Sequence, residues 1–130
     1  MKRACILLLS LGFAQAAFAQ ASAIHRSTLQ DLPFPAPAFH TMTTRAAVDS
    51  GGTVAAHTHP GIEMAYIASG EGELDIKGQP PRALRQGDSF AIPNGVVHMV
   101  HNTGHEQLVM ISTYVIDKGA PLVIPAPANP

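Results

Sequence analysis

The sequence predicts an all-β fold, a sandwich or a barrel, and three observations support this prediction. Short runs rich in Val, Ile, Thr and aromatic residues recur along the chain, separated by clusters of Gly, Pro, Asn and Asp. Eleven Gly and eleven Pro among 130 residues interrupt helices and favour turns. After residue 19 no helical periodicity of useful length is found. These observations favour a turn-rich β fold over a helical bundle.

The chain opens with an apolar segment that has a basic start. Lys2 and Arg3 precede the apolar run, and residues 17–19 form the small-residue pattern Ala-Phe-Ala ahead of Gln20. These are the parts of a secretory signal peptide, and the run is shorter than the about 20 residues that span a membrane. We therefore expect a signal peptide at residues 1–19 and a periplasmic or secreted protein without a stable membrane anchor. A retained membrane anchor is the alternative.

The predicted strands follow this segment in order. Residues 20–38 contain alternating prolines and are expected to form an extended arm, with a short strand around residues 24–29. Strands are predicted at residues 39–48, 53–59, 62–68, 73–77, 82–85, 89–92, 96–101 and 108–116, with turn residues between them. Residues 119–130 form a proline-rich, largely extended tail. One domain at residues 39–118 therefore holds the core.

Composition excludes several kinds of partner and stabilising element. The formal net charge is −1 and only 13% of residues are charged, so the chain lacks the basic surface typical of nucleic-acid binding. The single cysteine, Cys5, lies in the segment that we expect to be removed. The mature chain then has no disulfide, so its stability depends on packing and on a bound metal.

Three histidines and one glutamate are the candidate functional residues. His57 and His59 lie two positions apart in a predicted strand and therefore point to the same face. After a Pro-Gly turn, Glu63 can return a carboxylate to that face, and His98 follows a later turn. Three imidazoles and one carboxylate suit one divalent transition metal, which is Fe, Mn, Ni, Cu or Zn. For the histidine pair alone, two exposed side chains without a ligand role are the alternative.

Strand parity predicts which neighbours share the cavity with these residues. Asn102 is expected to form a turn or a buried hydrogen bond, whereas His101 points away from the candidate ligands. On the strand at residues 62–68, the inward side chains are small or apolar, while Met64 and Tyr66 face outward. The sequence thus predicts an apolar cavity with one metal and few other polar groups.

The spacing of these residues resembles the two motifs of the cupin superfamily. The two matches are Gly51-x5-His57-x-His59-x3-Glu63-x6-Gly70 and Gly87-x5-Pro93-x-Gly95-x2-His98-x3-Asn102. The resemblance covers about residues 39–116 and is to a small single-domain bacterial cupin. It implies a double-stranded β-helix, the jelly-roll barrel of cupins. It also implies that the four metal ligands are His57, His59, Glu63 and His98.

The resemblance also implies a small-molecule ligand or substrate. Four protein ligands leave two positions of a six-coordinate metal for water, O2 or substrate, which supports Lewis-acid catalysis or O2 activation. Small cupins with this ligand set resemble quercetin-type dioxygenases, and this resemblance implies that Glu63 of this chain serves as both ligand and base. A binding protein without turnover and an isomerase or decarboxylase are the alternatives. Cupins also form homodimers, and the outward Met64 and Tyr66 agree with that expectation.

Overall fold

The computed structural model describes residues 24–33 and 38–127, and the described residues form strands, turns and loops. The strands are β1 (Ile24–Pro33), β2 (Phe39–Val48), β3 (Thr53–Thr58), β4 (Gly61–Ser69), β5 (Glu71–Ile76), β6 (Arg82–Arg85), β7 (Ser89–Ile92), β8 (His98–His101), β9 (Leu108–Asp117) and β10 (Ile124–Pro125). Within the described ranges, no helix is long and apolar enough to cross a membrane. The expected signal peptide at residues 1–19 lies outside them.

The strands form two antiparallel sheets of five strands each. One sheet has the order β1-β2-β9-β4-β7 and the other has the order β10-β3-β8-β5-β6. Chain neighbours such as β3 and β4 lie in different sheets, so the chain winds back and forth between the two layers. This is the jelly-roll arrangement of a double-stranded β-helix, and the predicted fold class is confirmed.

The core lies between the two sheets and consists of side chains that alternate along the strands. In β4, Ala65 and Ile67 are buried, whereas Met64 and Tyr66 are exposed. The parity predicted for this strand is therefore confirmed. The largest fully buried aliphatic side chains are Val48, Ile67, Leu74, Ile92, Leu108 and Ile116. Removing them from water supplies the main favourable free energy of folding.

Two close backbone approaches at the ends of β4 hold this strand against β9. A Cβ on Gly61 would overlap the carbonyl oxygen of Val115, and a Cβ on Gly70 would lie 2.5 Å from the carbonyl oxygen of Gln107. Gly70 also has a φ of +84°, which L side chains rarely adopt. Only glycine fits at position 61, so close to the backbone of β9. The turn through Gly61 then places Glu63 inside the barrel, shortly after His57 and His59 in the chain.

Both chain ends contribute more regular structure than the sequence predicted. β1 pairs with β2 from Ile24 to Pro33, which is longer than the expected short strand. In the expected tail, Ile124 and Pro125 pair with Thr58 and His57 of β3. Both are edge strands, whose formation depends on unpaired backbone groups of the neighbouring strand rather than on a hydrophobic pattern.

Asn102 connects the loops at one end of the barrel. Its side-chain amide donates hydrogen bonds to the carbonyl oxygens of Val48 and Glu106, at 2.8 and 2.7 Å. Its side-chain oxygen accepts a bond from the Gly104 amide at 2.9 Å. Asn102 is 1% exposed, so all of these groups need partners. The predicted buried hydrogen-bonding role is confirmed.

Candidate metal centre

The structure brings the four predicted site residues together inside the barrel. His57 lies on β3, His59 follows that strand, Glu63 lies on β4 and His98 begins β8. Each of the four exposes 6% or less of its surface. The ligand nitrogens of the three histidines lie within 4.8 Å of one another, close enough to bind a single ion.

The two sheets contribute different parts of the cluster. His57 and His98 are directly opposite each other in the β3–β8 pair, with ring centroids 4.2 Å apart. Glu63 belongs to the other sheet, where it lies opposite Tyr114 of β9. The centre therefore forms only when the two sheets pack together, and its geometry depends on the core.

Each imidazole is oriented by a hydrogen bond from its Nδ1 atom to a backbone carbonyl oxygen. The pairs are His57 with Ala55 at 2.7 Å, His59 with Leu122 at 2.6 Å and His98 with Val96 at 3.1 Å. A carbonyl oxygen can only accept, so each Nδ1 atom carries a hydrogen. The neutral rings then present the lone pair of Nε2 to the centre, as in metal-binding histidines.

The carboxylate of Glu63 faces these nitrogens. Its Oε2 atom lies 3.1 Å from Nε2 of His59 and 3.3 Å from Nε2 of His98. In neutral rings that donate from Nδ1, Nε2 has no hydrogen, so lone pairs face the carboxylate oxygen. The lone pairs of the nitrogens and of the carboxylate oxygen repel one another. A cation between the nitrogens and the oxygen removes this repulsion, and this cation is either a proton on one ring or a metal ion. Three nitrogens and one oxygen fit a divalent transition metal.

Burial and neighbouring groups set the charge of the centre. Burial, together with the nearby His98 and His59, lowers the pKa of His57 from 6.5 to about 4. Burial alone raises the pKa of Glu63. The imidazoles of His59 and His98, when one of them carries a proton that faces Oε2, and the nearby Ser112 outweigh burial and hold the pKa of Glu63 below its ordinary value. A neutral His57 and an ionised Glu63 are the protonation states that metal binding needs.

Two polar side chains of β9 belong to the site, and the sequence analysis missed them. The Tyr114 hydroxyl donates a 2.9 Å hydrogen bond to Oε1 of Glu63, and Ser112 is 2% exposed beside it. Burial and the negative charge of Glu63 raise the pKa of Tyr114 above its ordinary value. The cavity is therefore more polar than predicted. The alternation along β9, extended from the inward Met110, identifies both residues.

His101 and His25 are separate from the centre. Nδ1 of His101 lies 2.8 Å from the hydroxyl of Thr53, on the opposite side of β8 from His98. His25 is exposed on β1, with Nε2 3.9 Å from a carboxylate oxygen of Asp49. Strand parity thus correctly separated His101 from the cluster.

The centre opens into a small cavity and a wider groove. The cavity at the four residues has a volume of about 20 Å³, which is room for an ion or one water molecule. A groove of about 190 Å³ adjoins it, lined by β1, β3 and the C-terminal segment. Arg26, Val54, His57 and Val123 line both spaces. A small organic molecule in the groove therefore contacts the centre through His57.

Sequence comparison places this chain among cupins. Residues 44–114 match the family model described as Cupin domain. Germin-like protein 5-1 from Oryza sativa subsp. japonica is 32% identical over 87 residues, which cover 59% of this chain and 38% of that protein. Dimethylsulfoniopropionate lyase DddQ from Ruegeria pomeroyi is 43% identical over 42 residues, which cover 32% of this chain and 21% of the lyase. These matched segments cover well under half the length of each of the two relatives.

Solved structures agree with this assignment. The crystal structure of DddQ from Ruegeria pomeroyi has a TM-score of 0.65 and 21% identity, covering 91% of this chain and 58% of the lyase. A cupin-like protein from Thermotoga maritima has a TM-score of 0.60 and 27% identity, covering 70% of this chain and 67% of that one. At 21% identity the likeness to DddQ shows the fold alone. With the family match over more than half of its length, this chain belongs to the cupin domain family.

Proposed function

We propose that this protein is an exported metal-dependent oxygenase, a dioxygenase that acts on a small organic substrate. The observation that carries the proposal is the cluster of three Nε2 lone pairs and one carboxylate in a buried pocket. His57, His59, Glu63 and His98 are its proposed metal ligands. Four ligands leave positions for O2 and substrate, and the metal would supply Lewis-acid or O2-activating chemistry.

Glu63 and Tyr114 are the proposed proton-handling pair of this site. The raised pKa of Tyr114, caused by burial and by the Glu63 charge, keeps its hydroxyl protonated at neutral pH. That proton lies on a 2.9 Å hydrogen bond to Oε1 of Glu63. Oε2 of the same carboxylate faces the histidines, so Glu63 can act as ligand and as base through different oxygens.

A lyase, decarboxylase or isomerase that uses the metal without O2 is the second candidate. The Tyr114–Glu63 hydrogen bond favours it, because such reactions move protons at a polarised substrate. The DddQ relative is named a lyase, which also supports this candidate. Binding of a metal or small ligand without turnover is the third candidate.

Metal analysis and O2 uptake test the proposal. The purified mature protein should contain about one divalent metal per chain and consume O2 with catechol- or flavonol-like compounds. Glu63→Gln should lose more activity than metal, because it keeps an acceptor oxygen but loses the basic carboxylate. Product formation without O2 would favour the second candidate, and bound metal without turnover would favour the third.

Export is part of the proposal, and the basic start, apolar run and small-residue pattern of residues 1–19 support it. The intact mass of the protein recovered from the periplasm or medium checks it. A mature chain that begins near Gln20 is the expected result. A mass that still includes residues 1–19 would contradict the signal peptide.

A further inference from the structure

Arg26 is a cation beside the metal centre that the proposed oxygen chemistry does not use. It lies on β1, opposite the buried Ala46 of β2, and both residues line the metal cavity. Residues opposite each other in a ladder point to the same face, so Arg26 lies on the inner side of its sheet. It also lines the adjoining groove.

The charge of Arg26 is available to a ligand. Among residues 24–29 and 38–127, whose side chains the structure describes, no carboxylate lies within ion-pair distance of Arg26. Glu63, the acid that shares the metal cavity, already accepts a hydrogen bond from Tyr114 and lies 3.1 Å from Nε2 of His59. An arginine guanidinium matches a carboxylate with two parallel hydrogen bonds. The cation next to the centre therefore favours an anionic ligand.

The rest of the groove is suited to a hydrocarbon body. Apart from Arg26 and His57, its lining is apolar and consists of Ile24, Val54, Ala55, Ala56, Val123 and Pro125. Its volume of about 190 Å³ lies below the range typical of drug-sized ligands. The inner cavity of about 20 Å³ is too small for an organic molecule, so the ligand must lie in the groove.

We propose that Arg26 and this groove bind a small organic carboxylate, with the carboxylate on the guanidinium and the hydrocarbon part against the apolar wall. The inference rests on the proposed function, because it names the substrate class of the same site. The shared residue His57 places the bound molecule next to the metal ligands. Specificity for acids over their neutral analogues then depends on Arg26, whereas metal binding does not.

Calorimetry with three matched pairs of probes tests this proposal. Acetate, butyrate and benzoate are each compared with the corresponding amide, using the metal-loaded and the metal-free full mature chain. We expect at least one acid to bind at least about tenfold more tightly than its amide, in both forms. Arg26→Gln should abolish that preference, and Arg26→Lys should retain part of it. Arg45→Gln, on the outer side of β2, is the matched control and should leave it unchanged.

Several outcomes would overturn the proposal. One is equal binding of acids and amides, or no binding of any acid. Another is full acid preference in Arg26→Gln, which would assign the carboxylate to the metal alone. If Arg26→Gln does not fold, the guanidinium NMR signals of Arg26 in the wild type must shift when the acid is added, and unmoved signals refute the idea. Metal content is measured separately, so a chain that binds acids but no metal refutes only the proposed function.

Discussion

At the scale of single residues, backbone carbonyls prepare the three histidines for metal binding. Each carbonyl fixes a hydrogen on Nδ1 and leaves Nε2 free to coordinate. Two of these carbonyls, those of Ala55 and Val96, lie two residues before the histidine that they orient. The strand that carries the ligand therefore also sets its tautomer, and the site is prepared by local backbone geometry.

Alanine substitutions should separate ligands from bystanders. His57→Ala, His59→Ala or His98→Ala removes one imidazole, and the remaining side chains cannot reach the vacant position. Metal affinity should fall by at least the 10- to 100-fold typical of losing even an outer partner. Metal content after dialysis against a chelator measures this. His101→Ala is the control and should retain the metal. An empty site in His101→Ala together with a full site in His98→Ala would place β8 in the wrong register.

Removing the hydroxyl of Tyr114 tests the proton-handling pair. Tyr114→Phe keeps the ring against His59, 4.9 Å away, but deletes the hydroxyl that donates a hydrogen bond to Glu63. If the pair acts in turnover, kcat should fall by about 10²- to 10⁴-fold at unchanged metal content. Tyr66→Phe, on the exposed outer face of β4, is the matched control. Equal kcat in Tyr114→Phe and wild type would restrict Tyr114 to a structural role.

The metal-free protein should lose stability as the pH falls from about 6.5 to about 4. In this range the unfolded chain protonates His57, whereas burial keeps the folded residue neutral. The unfolded state then binds more protons, so acid favours unfolding. The shift of His57 from 6.5 to about 4 corresponds to at most about 3 kcal/mol. Glu63, whose pKa is lowered on folding, acts in the same direction below about pH 4.5.

Urea unfolding of the metal-free protein between pH 4 and pH 7 measures this loss. His57→Leu should flatten the part of the curve above pH 4.5, because it has no imidazole to protonate. A free energy of unfolding that stays constant from pH 6.5 to pH 4.5 in the wild type would mean that His57 titrates normally in the folded state.

At the scale of secondary-structure elements, the C-terminal segment contributes a hydrogen-bond partner to the candidate metal centre. The Leu122 carbonyl accepts the Nδ1 hydrogen of His59, and β10 pairs with β3 at Thr58 and His57. The Ala126 amide also donates a hydrogen bond to the carbonyl oxygen of Ala56 in β3. A segment that the sequence indicates only as a proline-rich tail therefore holds β3, which carries His57 and leads into His59.

Shortening the chain tests this role. A chain that ends after residue 119 lacks the Leu122 carbonyl and β10, so His59 loses its orienting partner. Metal affinity should fall by about 10- to 100-fold, while the folded β-sheet signal in circular dichroism persists. A chain that ends after residue 127 keeps both features and is the control. Wild-type metal affinity in the chain that ends after residue 119 would show that His59 is oriented without the C-terminal segment.

At the scale of the whole molecule, the outer face of the β1-β2-β9-β4-β7 sheet carries an apolar patch on β4 and β9. Ile62, Met64 and Tyr66 of β4 are 43%, 52% and 50% exposed. Neighbouring outward residues of β9, such as Ile111 and Val115, are half-buried and also uncharged. Contiguous apolar surface of this kind is typical of protein–protein contacts. We propose that it is the contact of the homodimer expected from the sequence.

The mass in solution tests this proposal. Analytical ultracentrifugation at micromolar concentration should give twice the mass of the mature chain. Met64→Lys should give a monomer, because a charge in a buried apolar contact is costly. Lys77→Met changes charge at a site outside this sheet and should leave the dimer intact. A wild-type protein that stays monomeric at all concentrations tested would refute the contact.

The sequence by itself determined the fold class and the identity of the clustered side chains. Alternation along strands assigns Ala65 and Ile67 to the interior and separates His98 from His101, because side chains of a strand alternate with a period of two. Glycines at strand ends indicate turns and close approaches, because they tolerate conformations that other residues avoid. The same strand alternation and the same turns between strands indicated that His57, His59, Glu63 and His98 share one site.

Only the tertiary structure decided how the cluster is completed. Tyr114 reaches Glu63 because β9 lies beside β4, and Leu122 reaches His59 across 63 residues of sequence. Arg26 reaches the cavity because β1 adds to the edge of β2. These contacts depend on which strands become neighbours and in what register, and many residues far apart in the chain set that choice together. Local side-chain patterns fix the face on which a residue lies, but packing of the two sheets fixes what it meets there.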